Sequence, residues 1–205
     1  MRAKLQFYRS VMNRPSRSSL RKANAQRVRI IGGRHRGRLV RFPAAPGLRP
    51  TPDRVRETLF NWLGQELGGW RTLDLYAGSG VLSLEAVSRG AALAVAVDRN
   101  PALIRALEAT ALAFGVQEIE VHAAGATEFL AHETRTFDVV FLDPPFDTDP
   151  WLSLLPACAP RLAQAGFIYA EASREIAAPE GLRVWRHAKA GAVHYHLLQR
   201  EAASG

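Results

Sequence analysis

A short apolar strand enters a glycine turn at Thr72-Leu73-Asp74-Leu75-Tyr76-Ala77-Gly78-Ser79-Gly80, and the following run, Val81 to Val87, has the pattern of a helix. Glycines at positions 78 and 80 let the backbone pass close to a ligand, and the free amides at the helix N-terminus face that ligand. Strand, glycine turn and helix in this order form the first unit of a nucleotide-binding sheet.

Further strands and helices alternate along the chain after this unit. The next predicted strand ends at Asp98, where an acid accepts hydrogen bonds from ribose hydroxyls. We predict helices over residues 101–114 and 151–162, strands at 119–121, 137–143 and 167–170, and a closing antiparallel pair at 182–187 and 192–199. This order predicts an α/β protein with a Rossmann-like, doubly wound seven-stranded sheet whose last strand is antiparallel.

Charge is distributed very unevenly along the chain. The net charge is +8, yet residues 1–52 contain 14 Lys or Arg and no acid, whereas residues 53–205 contain 13 basic and 19 acidic side chains. A basic leading segment on a mildly acidic body favours a polyanionic partner such as nucleic acid. Three alternatives would explain the basic segment without such a partner. It could be a solvated tail, an organelle transit peptide, or the result of a predicted start site that lies too far upstream.

We expect three parts in this chain. Residues 1–26 have few apolar residues and no period, which predicts a disordered basic tail. Residues 27–50 alternate Val, Ile and Leu with Arg around Gly32-Gly33, which predicts a hairpin with one basic face that can lie along phosphates. Residues 51–200 contain the alternating strands and helices and are expected to form the main α/β domain.

Cysteine and hydropathy place the protein in a reducing, aqueous compartment. Cys158 is the single cysteine, so no internal disulfide can form, and no apolar run approaches the length of a membrane span. We therefore expect a cytoplasmic protein. His194 and His196 share one strand face, but no third ligand stands at matching spacing, so we predict no metal site.

The segment Pro50-Thr51-Pro52-Asp53 opens a helix, since Thr51 can cap it and Pro52 suits its first position. Apolar residues, Val55, Leu59, Trp62, Leu63 and Leu67, follow at helical spacing. The opposite face carries Arg54, Glu57 and Asn61, which the pattern alone would leave as a solvated face.

An apolar strand from Phe137 ends in Asp143-Pro144-Pro145-Phe146. Two prolines fix their own φ angles, donate no N–H and hold Asp143 extended, so this loop presents acceptors in fixed directions beside an aromatic ring. Methylation of an exocyclic nucleobase amine needs such acceptors. An ordinary proline turn is the competing interpretation of these four residues in isolation.

These motifs resemble a known family. The run Asp74 to Gly80 is similar to the S-adenosylmethionine motif of class I methyltransferases, and Asp143 to Phe146 resembles the (N/D)-P-P-(F/Y/W) motif of the amino-methylating branch. Three segments occur in the same order as in the RsmD family, bacterial enzymes that methylate N2 of a guanine in 16S ribosomal RNA. They are Arg29-Ile30-Ile31-Gly32-Gly33 with Arg36-Gly37, Arg49-Pro50-Thr51 with residues 54–63, and Asp143-Pro144-Pro145-Phe146.

The resemblance implies a role for each matching residue. Gly78, Ser79 and Gly80 would line the methionine part of S-adenosyl-L-methionine, Asp98 would hold its ribose, and Arg99 would flank its adenine. Gly125 stands where the family commonly has a polar residue facing the adenine. The remaining residues expected at the cofactor are Asp74, Tyr76, Ala77, Ala126, Thr51 and Glu57; those expected at RNA are Arg29, Arg34, Arg36, Arg38 and Arg54; the catalytic set is Asp143, Pro144, Pro145 and Phe146.

The expected activity is methylation of guanine N2 in 16S ribosomal RNA, in the small subunit or its assembly intermediate, by a monomer. Asp143 and the Pro144 carbonyl would each accept one amine N–H while Phe146 stacks on the base. A DNA adenine-N6 or cytosine-N4 methyltransferase, and a non-catalytic RNA-binding module, are the alternatives. A dehydrogenase is disfavoured because Ser83 replaces the third glycine of the dinucleotide pattern.

Overall fold

The structure, a computed structural model, describes residues 25–145 and 149–201. The expected basic tail lies outside these residues except for Ala25 and Gln26, which already belong to the first strand. No helix among the described residues combines the length and the apolar character that a bilayer span needs.

The core of the protein is one seven-stranded sheet. Its spatial order is β5-β4-β3-β6-β7-β9-β8, and every neighbouring pair is parallel except those that include β9, which is antiparallel to both β7 and β8. The predicted sheet with a reversed last strand is therefore confirmed. The strands are β3 (Arg71–Asp74), β4 (Leu93–Asp98), β5 (Ile119–Ala123), β6 (Phe137–Leu142), β7 (Leu162–Ala172), β8 (Leu182–Ala190) and β9 (Val193–Arg200).

Apolar side chains cover both faces of this sheet. In β6, Val139 and Phe141 belong to one hydrophobic cluster while Val140 and Leu142 belong to another, and all four are fully buried. Continuous apolar strands of this kind are typical of parallel sheets with helices on both faces. The helices are α1 (Asp53–Leu63), α2 (Val81–Ser88), α3 (Pro101–Phe114), α4 (Ala126–His132) and α5 (Trp151–Cys158).

Several element boundaries differ from the prediction, most clearly those of α5 and of the β8–β9 turn. Helix α5 ends at Cys158, a 3-10 turn follows over Ala159–Arg161, and Leu162 already begins β7. Pro160 explains the early end, because proline lacks the N–H that another helical turn needs. The turn between β8 and β9 consists of Gly191 and Ala192 rather than residues 188–191, and Gly191 supplies the positive φ of 62° that the tight turn requires.

The predicted basic hairpin consists of β1 (Ala25–Arg29) and β2 (Leu39–Pro43), which pair antiparallel. Its connection packs on the C-terminal end of α2 through Ser88, whose hydroxyl donates to the Gly32 carbonyl at 2.5 Å and accepts from the His35 N–H at 2.9 Å. Gly33 has φ of +69°, and a Cβ there would lie 1.8 Å from the Ser88 carbonyl oxygen. This contact leaves room for glycine alone.

A buried ion pair joins the hairpin to α1 and α2. Arg56 Nη1 lies 2.5 Å from Glu85 Oε1, and both side chains are fully buried. Arg56 also donates to the Arg29 carbonyl at 2.9 Å, while the Ile31 N–H donates to Glu85 at 2.6 Å. Arg89 adds a second contact to Glu85 at 3.3 Å. The sequence pattern gave no indication of this cluster, because it assigned only apolar residues to the inner face of α1.

We expect Glu85→Gln to lower the free energy of unfolding by about 3 to 5 kcal/mol, because it leaves Arg56 buried without its main charge partner. Urea denaturation followed by circular dichroism measures this loss. Glu108→Gln, on the exposed side of α3, is the control and should change stability by less than about 0.5 kcal/mol. A loss for Glu85→Gln as small as the control's would contradict a stabilising role for the pair.

Gly33→Ala and Gly37→Ala form a matched pair that isolates the Ser88 contact. Both positions have a positive φ, which costs an L residue roughly 1–2 kcal/mol, but a Cβ at Gly37 meets nothing within 4 Å. We expect Gly33→Ala to lower the thermal unfolding midpoint clearly more than Gly37→Ala. Equal decreases of the unfolding midpoint in the two variants would mean that the hairpin can move away from α2 without losing stability.

Candidate active site

The glycine turn after β3 is held by the acid at the end of β4. Gly78 and Gly80 have φ of 53° and 74°, and the Gly78 N–H donates to Asp98 Oδ2 at 2.9 Å. The other oxygen of Asp98 accepts from the Asn100 N–H at 2.8 Å. Each carboxylate oxygen keeps a further lone pair, so Asp98 can accept hydroxyl donors beside the turn.

Asp74 lies beneath the turn rather than at its surface. Its side chain is buried and accepts a hydrogen bond from the Ser83 hydroxyl of α2 at 2.9 Å. Burial, and to a lesser extent the negative charge of Asp98, raises the pKa of Asp74 to about 7. This contact ties the end of β3 to the start of α2 and so fixes the turn between them.

The other residues predicted at the cofactor surround the same turn. Ala77 and Ser79 are buried, and Tyr76 is half-buried near the exposed Arg99, whose charge opposes the rise that burial causes in the pKa of Tyr76. Gly125 precedes α4, which begins at Ala126, and the Ala124 N–H donates to the Asp98 carbonyl at 3.1 Å. The ends of β3, β4 and β5 therefore meet on one side of the crevice.

Asp143 directly follows β6, the parallel neighbour of β3, and Asp74 pairs with Phe141 in this register. The ends of these two strands therefore lie side by side. The Asp143 side chain is half-buried, Pro144 is buried and Pro145 is exposed. Burial raises the pKa of Asp143 well above its ordinary range, and the negative charges of Glu171 and Asp74 raise it further. Phe146 lies outside the described residues, so its stacking role stays a prediction.

Glu171 is a site residue that the sequence reasoning missed. It lies near the end of β7, where Leu142 pairs with Ala170, so Glu171 stands beside Asp143 across the two strands. It is 3% exposed and accepts a hydrogen bond from the Tyr169 hydroxyl at 2.8 Å. Its signal in the sequence was an acid that follows an apolar strand, the same signal that pointed to Asp98 and Asp143.

The predicted residues around α1 separate in space. Thr51 is buried, and its side chain interacts with both Asp143 and Glu171. Arg54 and Glu57 are exposed, and Glu57 lines an open groove together with Arg34 and Arg36. That groove includes none of the carboxyl groups of the crevice. Thr51 thus joins the crevice, whereas Glu57 lies along the groove beside the hairpin.

The predicted RNA-binding arginines divide into two groups. Arg34 pairs with Glu118 at 2.6 Å, and Arg38 donates to the Ala113 carbonyl at 2.9 Å at the C-terminal end of α3, so these two hold the hairpin against the body. Arg29, Arg36 and Arg54 are exposed, and within the described residues none of them forms an ion pair. These three can reach a polyanion.

The histidines near the β8–β9 turn contact one another. His187 Nε2 lies 3.0 Å from His194 Nδ1, and His196 accepts the Ile176 N–H at 3.1 Å. In the part of the chain that the structure describes, no group of three or more His, Cys, Asp or Glu side chains is arranged to hold a metal ion.

Comparison with known proteins places this arrangement in a family. The model of a family described as conserved hypothetical protein 95 matches residues 28–199. The chain is 41% identical over 181 residues to ribosomal RNA small subunit methyltransferase D of Escherichia coli (strain K12), covering 85% of this chain and 91% of the relative. It is 36% identical over 182 residues to the protein of the same name from Haemophilus influenzae, covering 84% and 93%.

Solved structures agree with this placement. The Escherichia coli protein yhhF superposes with a TM-score of 0.77 at 40% identity, covering 86% of this chain and 99% of that one. A 16S rRNA N2 methyltransferase (RsmC) from Thermus thermophilus, in complex with AdoMet and guanosine, superposes with a TM-score of 0.62 at 22% identity, covering 87% of this chain and 50% of that one, which shows the fold alone. The chain therefore belongs to the conserved hypothetical protein 95 family, the family that its motifs identify as the RsmD methyltransferases.

Proposed function

We propose that this protein transfers a methyl group from S-adenosyl-L-methionine to the exocyclic N2 amine of a guanine in 16S ribosomal RNA of the small subunit. One observation carries the proposal: Asp143, half-buried and followed by the buried Pro144, stands at the end of the strand next to the glycine turn. The names of the relatives, which are ribosomal RNA small subunit methyltransferases, support the choice of RNA.

The residues of the crevice fit S-adenosyl-L-methionine. Asp98 keeps acceptor positions beside the turn for a ribose diol, and Gly78 and Gly80 allow the backbone to approach the bound cofactor closely. In its ionised form, Asp143 attracts a cationic sulfonium across the crevice from the glycine turn. When bound, this cofactor supplies a methyl group that is already activated for transfer.

The amine is the harder partner to activate. Its lone pair is delocalised into the guanine ring, so the nitrogen becomes nucleophilic only when its two N–H groups turn out of the ring plane. The Asp143 carboxylate and the Pro144 carbonyl, held in fixed directions by the two prolines, each accept one N–H and stabilise that geometry. Asp143 then takes the proton that the amine loses. Positioning the amine roughly 3 to 3.5 Å from the methyl carbon supplies most of the acceleration.

We expect Asp143→Ala to lower the rate of methyl transfer by a factor on the order of 10² to 10⁴, because it removes both an N–H acceptor and the proton acceptor. Binding of S-adenosyl-L-homocysteine, followed by calorimetry, should survive in this variant, since Gly78 and Asp98 remain. Glu180→Gln, at an exposed position, is the control for activity. Full turnover in Asp143→Ala would end the catalytic assignment.

The substrate is tested with a panel of nucleic acids. Labelled methyl incorporation is measured on protein-free 16S ribosomal RNA, on small subunits from a strain lacking the enzyme, and on DNA, and the modified nucleoside is identified by mass spectrometry. The proposal requires N2-methylguanine in RNA. Methylated adenine or cytosine in DNA would instead support a DNA methyltransferase, and tight RNA binding without incorporation would support a non-catalytic binding module.

We expect Arg29→Gln combined with Arg36→Gln to weaken RNA binding and to reduce the slope of log affinity against log salt by about 1 to 2, because two phosphate contacts are lost. Arg183→Gln on β8, at the opposite edge of the sheet, should leave that slope unchanged. Fluorescence anisotropy with labelled RNA at several salt concentrations measures both. Equal slopes in the two variants would exclude the hairpin as an electrostatic contact.

A further inference from the structure

Asp143 has a second carboxyl group as its neighbour, which the mechanism above does not use. Glu171 approaches it from β7, and Thr51 contacts both groups from the segment before α1. No lysine or arginine of the described chain forms an ion pair with either carboxyl group. The two acids therefore meet without a cation between them.

Glu171 and Asp143 differ in burial and in their hydrogen-bond partners. Glu171 is 3% exposed and receives the hydrogen bond of Tyr169, whose ring is fully buried, so this phenol has no water to bind instead. Asp143, at the end of β6, is only partly buried. Glu171 is thus shielded from a substrate, whereas Asp143 can reach one.

Two carboxylates at close range in a poorly hydrated site cannot both ionise freely, so they titrate as a pair. Burial raises the pKa of both groups, and the charge of Glu171 is the largest further cause of the rise at Asp143. Tyr169 and Thr51 favour ionised Glu171, and Thr51 also favours ionised Asp143. The other titratable groups facing the pair are Asp74 from β3 and, beyond Tyr169, Tyr195 from β9.

We propose that Glu171 is a positioning residue that acts on the substrate through Asp143: its buried charge, anchored by Tyr169 and Thr51, makes Asp143 a stronger proton acceptor for the amine. This inference rests on the proposed methyl transfer and names a further residue of that site.

The proton balance of the step is simple. The amine nitrogen forms a bond to the methyl carbon, the carbon–sulfur bond breaks, and its electron pair stays on sulfur. The nitrogen, now positively charged, gives one proton to the Asp143 carboxylate and becomes neutral. Glu171 keeps its charge throughout, which favours the protonated form of Asp143. After the product leaves, Asp143, which is partly accessible, returns the proton to water.

Two variants should move the pH dependence of methyl transfer in opposite directions. Transfer requires ionised Asp143, so the rate rises with pH through the pKa of that group. Glu171→Gln removes the neighbouring charge and should move the acidic limb of the single-turnover profile about 1 to 3 pH units lower. Thr51→Val removes an interaction that favours the carboxylate and should move the limb about 1 unit higher. Glu180→Gln should leave it in place.

A titration without RNA or cofactor tests the pair independently of activity. The titration is followed by carbon-13 NMR of labelled Asp and Glu carboxyl groups, and the Asp143→Asn variant assigns the Asp143 signal. We expect Asp143 to stay protonated above the pH range in which an aspartic acid normally ionises. In Glu171→Gln, the midpoint of the Asp143 titration should lie at a lower pH. If Glu171→Gln does not fold, the wild-type titration still decides: ordinary midpoints for both acids, about 4, overturn the inference.

The outcomes separate the two proposals. Wild-type protein that methylates no RNA would end the proposed function, while the carboxyl titration would still report on the pair. An unchanged pH limb in a folded and active Glu171→Gln variant would overturn the role of Glu171 and leave methyl transfer standing.

Discussion

Parallel strands that lie side by side end at the same edge of their sheet, and the chemistry of this protein depends on that constraint. Acids stand at or directly after the ends of β3 and β4, as Asp74 and Asp98, and at the ends of β6 and β7, as Asp143 and Glu171. Side chains far apart in the chain therefore share one crevice. The result is a cleft in which carboxyl groups from neighbouring strands lie close enough for the charge of Glu171 to raise the pKa of Asp143.

The same crevice depends on packing that lies outside it. Arg56, buried against Glu85, donates to the Thr51 carbonyl at 3.1 Å, and Thr51 contacts Asp143 and Glu171 through its side chain. The Arg56 guanidinium thus links the hairpin, α1 and α2, through Thr51, to the loop that begins at Asp143. A buried charge tolerates few geometries, since every one of its donors must find an acceptor. The position of the basic hairpin is consequently coupled to the order of the site.

The sequence predicted most of the fold and pointed to the glycine turn, the acid after it and the double-proline loop, because local patterns encode all of these. The apolar run into Gly78 and Gly80, the acid at Asp98 and the double proline after Asp143 each follow from backbone geometry and solvation within a few residues. It failed where a polar residue turned inward. Arg56 lies on the inner side of α1 beside Val55 and Leu59, and the periodicity of the sequence does not show that it forms an ion pair with Glu85.

By itself the sequence determined the order of the elements, the basic character of the leading segment and the rigid acceptor loop, because these depend on neighbouring residues. Only the tertiary structure decided which charges meet. The contact of Glu171 with Asp143 depends on the register between β6 and β7, and the separation of Thr51 from Glu57 depends on how α1 packs. Register and packing follow from burial summed over the whole sheet, which no short segment specifies.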